Sequence, residues 1–385
     1  MFFLHFHSPS LPGIFLALAA IAYEILALRA VARFTLRNGG GSFRPPVSVL
    51  VPAHGLQPKL YECLRSICDQ DYPVYQVLFG LHSADDPARS VIERIIAEFP
   101  GCDIELVIDG YMIGANPKNC NLANMYPSAK HDVIVMVDSD IKVERDFLAT
   151  IVEPLEDSAV GGVTCIYKAA AEDGLPSQLG ALAINDWFIP SALVDLGMRE
   201  IDICYGAAIA VTRDSLDSIG GFGAMASAVA QDYVFGKELN RHGYRIALAP
   251  CVVETIVSEP HFGSLFRHEL RWNRAVRACR PFDHGLSVVT HSLPLSVLFL
   301  MLPHPTLLGG ALIATIMALR IALHYLVRAR IPIAGHPQPW LVPVRECLSC
   351  GVWLASFFAK TVRWGKHRLV IDGDYSMSVA EDGGP

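Results

Sequence analysis

The chain has 385 residues, 52% of them hydrophobic and 18% charged, with a mean hydropathy of +0.36 and a formal net charge of −7. It is too apolar for an ordinary soluble protein and too charged for a pure membrane bundle, and the acidic balance, with no basic stripe carrying interleaved aromatics, excludes a nucleic-acid binder. One domain of about 250 residues joined to several membrane segments fits the length.

After an N-terminal tail (1–11), residues 12–33, "PGIFLALAAIAYEILALRAVAR", supply about 20 mostly apolar positions, enough to cross a bilayer core as a helix. No basic region precedes them and no small-residue cleavage site comes after them, so they read as a retained transmembrane anchor and not as a signal peptide. Arg29, Arg33, Arg37 and Arg44 lie at or beyond its carboxyl end and place the next part of the chain in the cytoplasm.

From about 45 to 280 no comparable apolar run is expected. Four short β-rich runs recur there instead, Val47–Val51, Gln76–Leu81, Ile104–Ile108 and Val133–Val137. Between the first three lie helical patterns at 58–70 and 87–99, each opened by a proline. This alternation predicts an α/β domain over 45–260 with a mostly parallel sheet and crossover helices. Ligands of such sheets bind beyond the carboxyl ends of the strands. Residues of interest do lie just past the strands: Pro52, Ala53 and His54 after the first, Ser83, Asp85 and Asp86 after the second, Asp138, Ser139 and Asp140 after the fourth.

The stretch "IVMVDSDI" (134–141) thus ends a buried strand in two carboxylates one residue apart. Burying unpartnered carboxylates is costly, so the pair implies a cation, a shared proton or open water. A D-x-D at a strand end offers oxygen ligands to a hard divalent cation, Mn²⁺ or Mg²⁺, whose shell substrate phosphates complete. The bland reading is a solvated turn. Downstream, Gln231-Asp232 precedes a helical pattern ending near Arg241-His242-Gly243, and Asp232 there reads either as a helix cap or as a chemical group. A strand-like "YRIALAP" comes next.

Residues 261–282 contain "HFGSLFRHELRWNRAVRACRPF", where His268, Arg271 and Trp272 share one helical face. An arginine fork suits a diphosphate. Arg267, Arg274, Arg277 and Arg280 among apolar neighbours suit an amphipathic helix at a membrane surface. Membrane segments are expected again over 285–360, at about 286–302, 306–327 and 340–359, before a basic then acidic tail (361–385). The basic "KTVRWGKHR" (360–368) belongs in the cytoplasm, whereas three full crossings would leave it outside. One late stretch is therefore expected to be re-entrant, interfacial or split, the third being weakest because it holds Arg345 and Glu346. The ten cysteines show no disulfide-like framework, and Cys347-x-x-Cys350 reads as packing.

The order of "NPKNCNL" (116–122), "VDSD" (137–140), "QDY" (231–233) and "HELRW" (268–272), flanked by membrane segments, resembles the ceramide glucosyltransferase family of glycosyltransferases, and within it the bacterial hopanoid-biosynthesis-associated members. The resemblance implies a GT-A nucleotide-sugar domain facing the cytoplasm of a bacterial inner membrane, a UDP-sugar donor, a divalent cation, a lipid acceptor and inversion at the anomeric carbon. It implies that Asp138 and Asp140 serve the nucleotide and the metal-diphosphate, and that Asp232 is the base. By the same resemblance Arg271 and Trp272 hold the diphosphate and donor sugar, and Lys118 and Asn121 lie near the uracil and diphosphate. His268 stands where the family usually has Gln or Arg, and Ser83 stands where an aspartate usually touches uracil, with Asp85 or Asp86 as substitutes. N-acetylglucosamine transfer to bacteriohopanetetrol is the expected reaction, with glucose transfer to ceramide as the alternative. A phosphatase of the haloacid dehalogenase type would need its D-x-D on the first strand, and a membrane scaffold with a degenerate nucleotide-sugar fold would have no need of Asp232.

Overall fold

The computed structural model describes residues 10–36, 41–172, 174–302, 305–358, 361–364, 367–371 and 375–379. Residues 1–9 of the expected N-terminal tail, Arg37 and much of the C-terminal tail lie outside these residues. The chain forms two compact units, one of residues 1–34, 173–199 and 259–359, the other of residues 35–172, 200–258 and 360–385.

The second unit is built on an eight-stranded sheet. Its strands are β1 (Val47–Pro52), β2 (Tyr75–Leu81), β3 (Asp103–Ile108), β4 (Val133–Val137), β5 (Ile141–Lys142), β6 (Val160–Ala171), β7 (Ala208–Thr212) and β8 (Arg245–Val257), in the order β3-β2-β1-β4-β7-β6-β8-β5. The four expected strands are present within a residue of their predicted ends and pair in parallel, β3 with β2, β2 with β1 and β1 with β4. The α/β, mostly parallel expectation holds, with antiparallel insertions where β7 pairs with β4 and β6 and where β5 pairs with β8.

β1, β2 and β4 read as continuous apolar runs because both of their faces are covered. Val47, Val49 and Val51 pack to one side with Val77, Phe79, Val133 and Val135, under the helices Leu60–Cys68 and Ala88–Glu98. Leu50, Leu78, Ile134 and Met136 point to the other side, against Leu122, Met125 and Phe222. This two-residue alternation is the pleat of a strand made visible in its packing. At the edge, β3 alternates exposed and half-buried positions and carries Asp103 and Glu105, charges that discourage pairing with another chain. A separate three-stranded sheet is ordered β11-β10-β9 from β9 (Thr361–Trp364), β10 (His367–Ile371) and β11 (Met377–Val379).

The first unit is helical. Leu11–Arg33, Leu175–Met198 and Leu307–Arg330 are each long and apolar enough to cross a membrane. The second of these corrects the expectation that residues 45–280 hold no such run. Asn185, Asp186 and Asp195 interrupt its apolar character in the sequence, and a π-helical turn over Ala183–Phe188 lies at its centre. Of the three late stretches only Leu307–Arg330 has this length. The first holds a 3₁₀ turn, Ser287–His291, and the short helix Ser292–Leu300, and the third forms a 15-residue helix, Val342–Ser356. At about 1.5 Å per residue a helix of that length falls short of a 30 Å hydrocarbon core.

Charges inside this unit are paired. Arg320 is 3% exposed and its Nε lies 3.0 Å from Glu24 Oε1 and 2.7 Å from Glu346 Oε1, both carboxylates being fully buried. Its guanidinium also stacks 4.6 Å from the Trp187 ring centroid and donates to the Thr290 carbonyl at 2.5 Å. Asp186 meets His324 Nδ1 at 2.7 Å, and the other ring nitrogen accepts from the Gln338 N–H at 3.1 Å. Replacing Arg320 by Met leaves Glu24 and Glu346 buried without their cation and is expected to cost about 3–5 kcal/mol. A thermal unfolding midpoint in detergent equal to that of the parent protein would show that the triad carries no such weight.

Candidate functional site

The "VDSD" motif ends β4 where the chain must leave the sheet. Asp138 N–H donates to the Ala207 carbonyl at 3.1 Å, and the Asp138 carbonyl accepts from Ile141 N–H at 3.1 Å, so the D-x-D spans a tight turn between β4 and β5. Two-residue β5 ties this turn to β8 through Ile141 opposite Thr255 and Lys142 opposite Glu254. Ile256 N–H donates to the Asp140 carbonyl at 3.2 Å, and Thr255 Oγ1 approaches Asp140 Oδ2 at 3.5 Å. Ser139 between them is buried and donates to Gln57 Oε1 at 3.1 Å. The two aspartates are half-buried, with their backbone held on both sides.

Lys118 enters from the helix Pro117–Met125. Asn116 caps this helix by accepting from Asn119 N–H at 3.3 Å, and Pro117 occupies its first position, the local chemistry that "NPKN" favours. The Lys118 ammonium is ion-paired with Asp138 and donates to the Gly206 carbonyl at 3.4 Å. Asn121, three residues on, is 3% exposed, and its amide donates to the Gly80 carbonyl at 2.9 Å. Its amide nitrogen thereby ties the helix to β2.

Asp232 stands in the first turn of the helix Gln231–Arg241. The cap is Ala230, so Asp232 is not the capping residue; its Oδ1 accepts from the N–H of Tyr233 at 3.0 Å. The far end is closed by Gly243 at φ 86, with Gly243 N–H to Asn240 O and Tyr244 N–H to Leu239 O, both at 3.0 Å, the paired bonds of a Schellman ending. Burial pushes the Asp232 carboxyl above its ordinary value, Asp138 adds to this, and Lys118 opposes it. The phenol of Tyr167, half-buried on β6, is raised by burial and then by Asp232, Asp140 and Asp138 in that order, which groups the three carboxylates around one side chain. Among the described residues no cluster of three or more His, Cys, Asp and Glu side chains forms a ready-made metal cage.

One segment holds the Lys118 and Asp232 helices together. Asn116 N–H donates to Ala226 O at 2.8 Å and its amide to Ala228 O at 2.9 Å, while on the other side Val229 N–H donates to Tyr375 O and Met377 N–H to Ser227 O, each at 2.8 Å. Residues 226–229 are thus clamped between the Lys118 helix and the start of β11, immediately before Asp232.

In the helical unit, His268, Arg271 and Trp272 lie on the helix Phe262–Cys279, capped by His261, whose Nδ1 accepts from Ser264 N–H at 2.9 Å. His268 Nδ1 is 2.7 Å from Glu259 Oε1, and its ring lies 4.3 Å from that of Trp272. Burial works to raise the Glu259 carboxyl, but hydrogen bonds from His268 and Ser264 outweigh it and hold the group below its ordinary value. Arg271 is half-buried. In the other unit, Asp85 occupies the exposed loop after β2, its N–H 3.2 Å from Ser83 Oγ. Asp86 beside it is committed to the loop: it pairs with His54 Nδ1 at 2.9 Å and accepts from the N–H groups of Gly55 and Ala88 at 2.9 Å.

Tyr167, Gly206 and Glu259 escape the sequence reading. Tyr167 sits in an ordinary strand pattern, and Glu259 lies nine residues before His268, outside any helical spacing. Gly206 matters through what it lacks: a Cβ there would lie 3.0 Å from Asp232 Oδ2. Gly206→Ala should displace that carboxylate and lower kcat roughly 10- to 100-fold with little change in unfolding temperature; full activity in a folded variant would remove Gly206 from the site.

The profile of glycosyl transferase family 21 matches residues 13–376. Ceramide glucosyltransferase 3 of Caenorhabditis elegans is 28% identical over 211 residues, 53% of this chain and 45% of that protein. A ceramide glucosyltransferase of Gibberella zeae is 33% identical over 138 residues, 33% of this chain and 26% of that one. The matched regions thus span less than half the length of these relatives. A mannosyltransferase from Pyrobaculum calidifontis, solved in complex with GDP-Man and Mn²⁺, superposes with a TM-score of 0.59 over 90% of this chain and 98% of that one at 21% identity, which shows the shared GT-A fold. The chain belongs to glycosyl transferase family 21 and carries three helices long and apolar enough to cross a membrane.

Proposed function

We propose that the protein transfers a hexose from a UDP-sugar to the hydroxyl of a membrane lipid in one inverting displacement. The observation that supports this most is the grouping of Asp138, Asp140 and Asp232 around Tyr167 with Lys118 at their edge. Asp232 is the base: an acceptor hydroxyl has a pKa far above 7, and a positioned carboxylate that removes its proton during attack contributes about 10²- to 10⁴-fold. A single base opposite a departing diphosphate gives in-line substitution, and the two flanking carboxylates of a glycosidase are not required.

Asp138 and Asp140 fit a hard divalent cation, Mn²⁺ or Mg²⁺, because they are two carboxylates in a tight turn, and diphosphate oxygens and water would fill the remaining positions. Such an ion would offset charge on the leaving diphosphate. Arg271 is assigned to the diphosphate through its planar fork, and Trp272 to the donor sugar. His268, held by Glu259, supports the Trp272 ring. The names of the curated relatives favour UDP-glucose and ceramide over the N-acetylglucosamine and bacteriohopanetetrol expected from the hopanoid-type resemblance. We place the α/β unit on the cytoplasmic side of the membrane, a reading that the arginines after the anchor support.

The test is UDP release by the detergent-solubilised protein with UDP-glucose or UDP-N-acetylglucosamine, against ceramide or bacteriohopanetetrol, with and without Mn²⁺ or Mg²⁺. Metal-dependent release requiring ceramide and UDP-glucose is expected; release requiring the hopanoid would change the acceptor, and none with any pair would sink the proposal.

Asp232→Asn should abolish turnover while sparing UDP binding. The substitution also has a definite sign on stability. A carboxyl raised on folding contributes stability that is complete below its unfolded pKa and lost as pH rises through the folded one, so an uncharged Asn should hold or raise the unfolding temperature at neutral pH. The base works only when ionised, so kcat/KM should fall on the acid side at a pH above the ordinary aspartate value of about 4. Normal turnover by the Asn variant would remove Asp232 as the base.

A further inference from the structure

We infer that Arg345 and Glu269 form a positioning pair that sets the rotation of the donor-binding helix Phe262–Cys279; this rests on the reading of Arg271 and Trp272 as donor contacts. Glu269 lies inside the "HELRW" motif, between the residues assigned to the donor, yet it points to one side of their arc. At about 100° per residue, His268, Arg271 and Trp272 span an arc of roughly 100° whose centre lies roughly 105° around the helix from Glu269. Glu269 is 5% exposed and Arg345, from the helix Val342–Ser356, is 1% exposed.

The pair is a two-pronged fork. Arg345 Nη1 donates to Glu269 Oε1 at 2.6 Å and Nη2 to Oε2 at 2.7 Å. The other contacts of the guanidinium fix its plane: Nε donates to Ser349 Oγ at 2.9 Å and Nη1 to the Leu179 carbonyl at 3.3 Å. One side chain thereby joins three helices of the unit, Phe262–Cys279, Val342–Ser356 and the stretch Leu175–Met198. Two parallel N–H to oxygen bonds define an orientation as well as a distance, which apolar contacts do not. A buried ion pair adds little net stability relative to apolar side chains of similar volume, so its benefit here is geometric. A rotation of the helix by one residue's angle would carry Trp272 and Arg271 out of their arc together.

Donor and acceptor KM, kcat, UDP affinity and unfolding temperature are compared for the parent protein, Glu269→Met/Arg345→Met and Arg345→Lys. The double variant should unfold at or above the parent temperature while its donor KM and UDP dissociation constant rise roughly 10-fold or more and its acceptor KM stays the same. Arg345→Lys keeps the charge but loses the fork and should show the same donor-side loss. Parent-like UDP affinity and donor KM in either folded variant would overturn the inference. Failure of both variants to fold would do so too, since the pair would then be needed for folding and not for alignment. If the parent protein itself binds no UDP, the donor-site reading falls, and the inference falls with it.

Discussion

The α/β unit depends on holding three carboxylates close together, two just past the end of a buried strand and one in the first turn of a helix. Asp138, Asp140 and Asp232 all press on the phenol of Tyr167, and such a group is costly in a half-buried setting. Three features offset part of that cost. Lys118 places a cation against Asp138, the first turn of the Gln231–Arg241 helix presents its positive end to Asp232, and the backbone of the D-x-D turn is bonded on both sides. Burial, with Asp138 adding to it, still leaves the Asp232 carboxyl raised above its ordinary value. The parallel strands, the capped "NPKN" helix and the clamp on residues 226–229 hold these groups where their mutual repulsion would otherwise separate them.

The helical unit answers the same physics with fully buried pairs. Glu24, Arg320 and Glu346, then Asp186 with His324, then Glu269 with Arg345, join helices whose remaining surfaces are apolar. Apolar helices slide and rotate over one another at small cost, whereas a charge removed from water must find its partner at one angle and one depth. The same helices that are read as membrane segments therefore carry the polar contacts that define their packing.

Much of this was legible in the sequence. The four early strands, the helices between them and the close of the Asp232 helix at Gly243 arise from local chemistry: both-face burial, prolines at helix starts, and a glycine at positive φ. The carboxylate pair at the end of β4 was visible because a buried strand seldom ends in two charges without reason. Other features were not visible. Leu175–Met198 hid its length behind Asn185, Asp186 and Asp195, polar residues whose partners, such as His324, lie far along the chain. Arg345 and Glu346 marked the third late stretch as a poor membrane segment, and its helix is indeed short, but nothing in the order of residues paired them with Glu269 and Arg320.

By itself, then, the sequence determined the α/β character of one half, the long apolar helices Leu11–Arg33 and Leu307–Arg330 of the other and the identity of the charged motifs, because each rests on interactions within a few residues. Tertiary structure alone decided that Lys118 meets Asp138, that Tyr167 lies among the three carboxylates, that Gly206 leaves room for Asp232, and that Glu259 and Arg345 brace the "HELRW" helix. Each of those contacts joins residues 20 to 76 positions apart or depends on a missing side chain, except Glu259 with His268, which is short in sequence but crosses a helix start. Such contacts are set by how strands and helices pack, and the local pattern of residues carries no record of it.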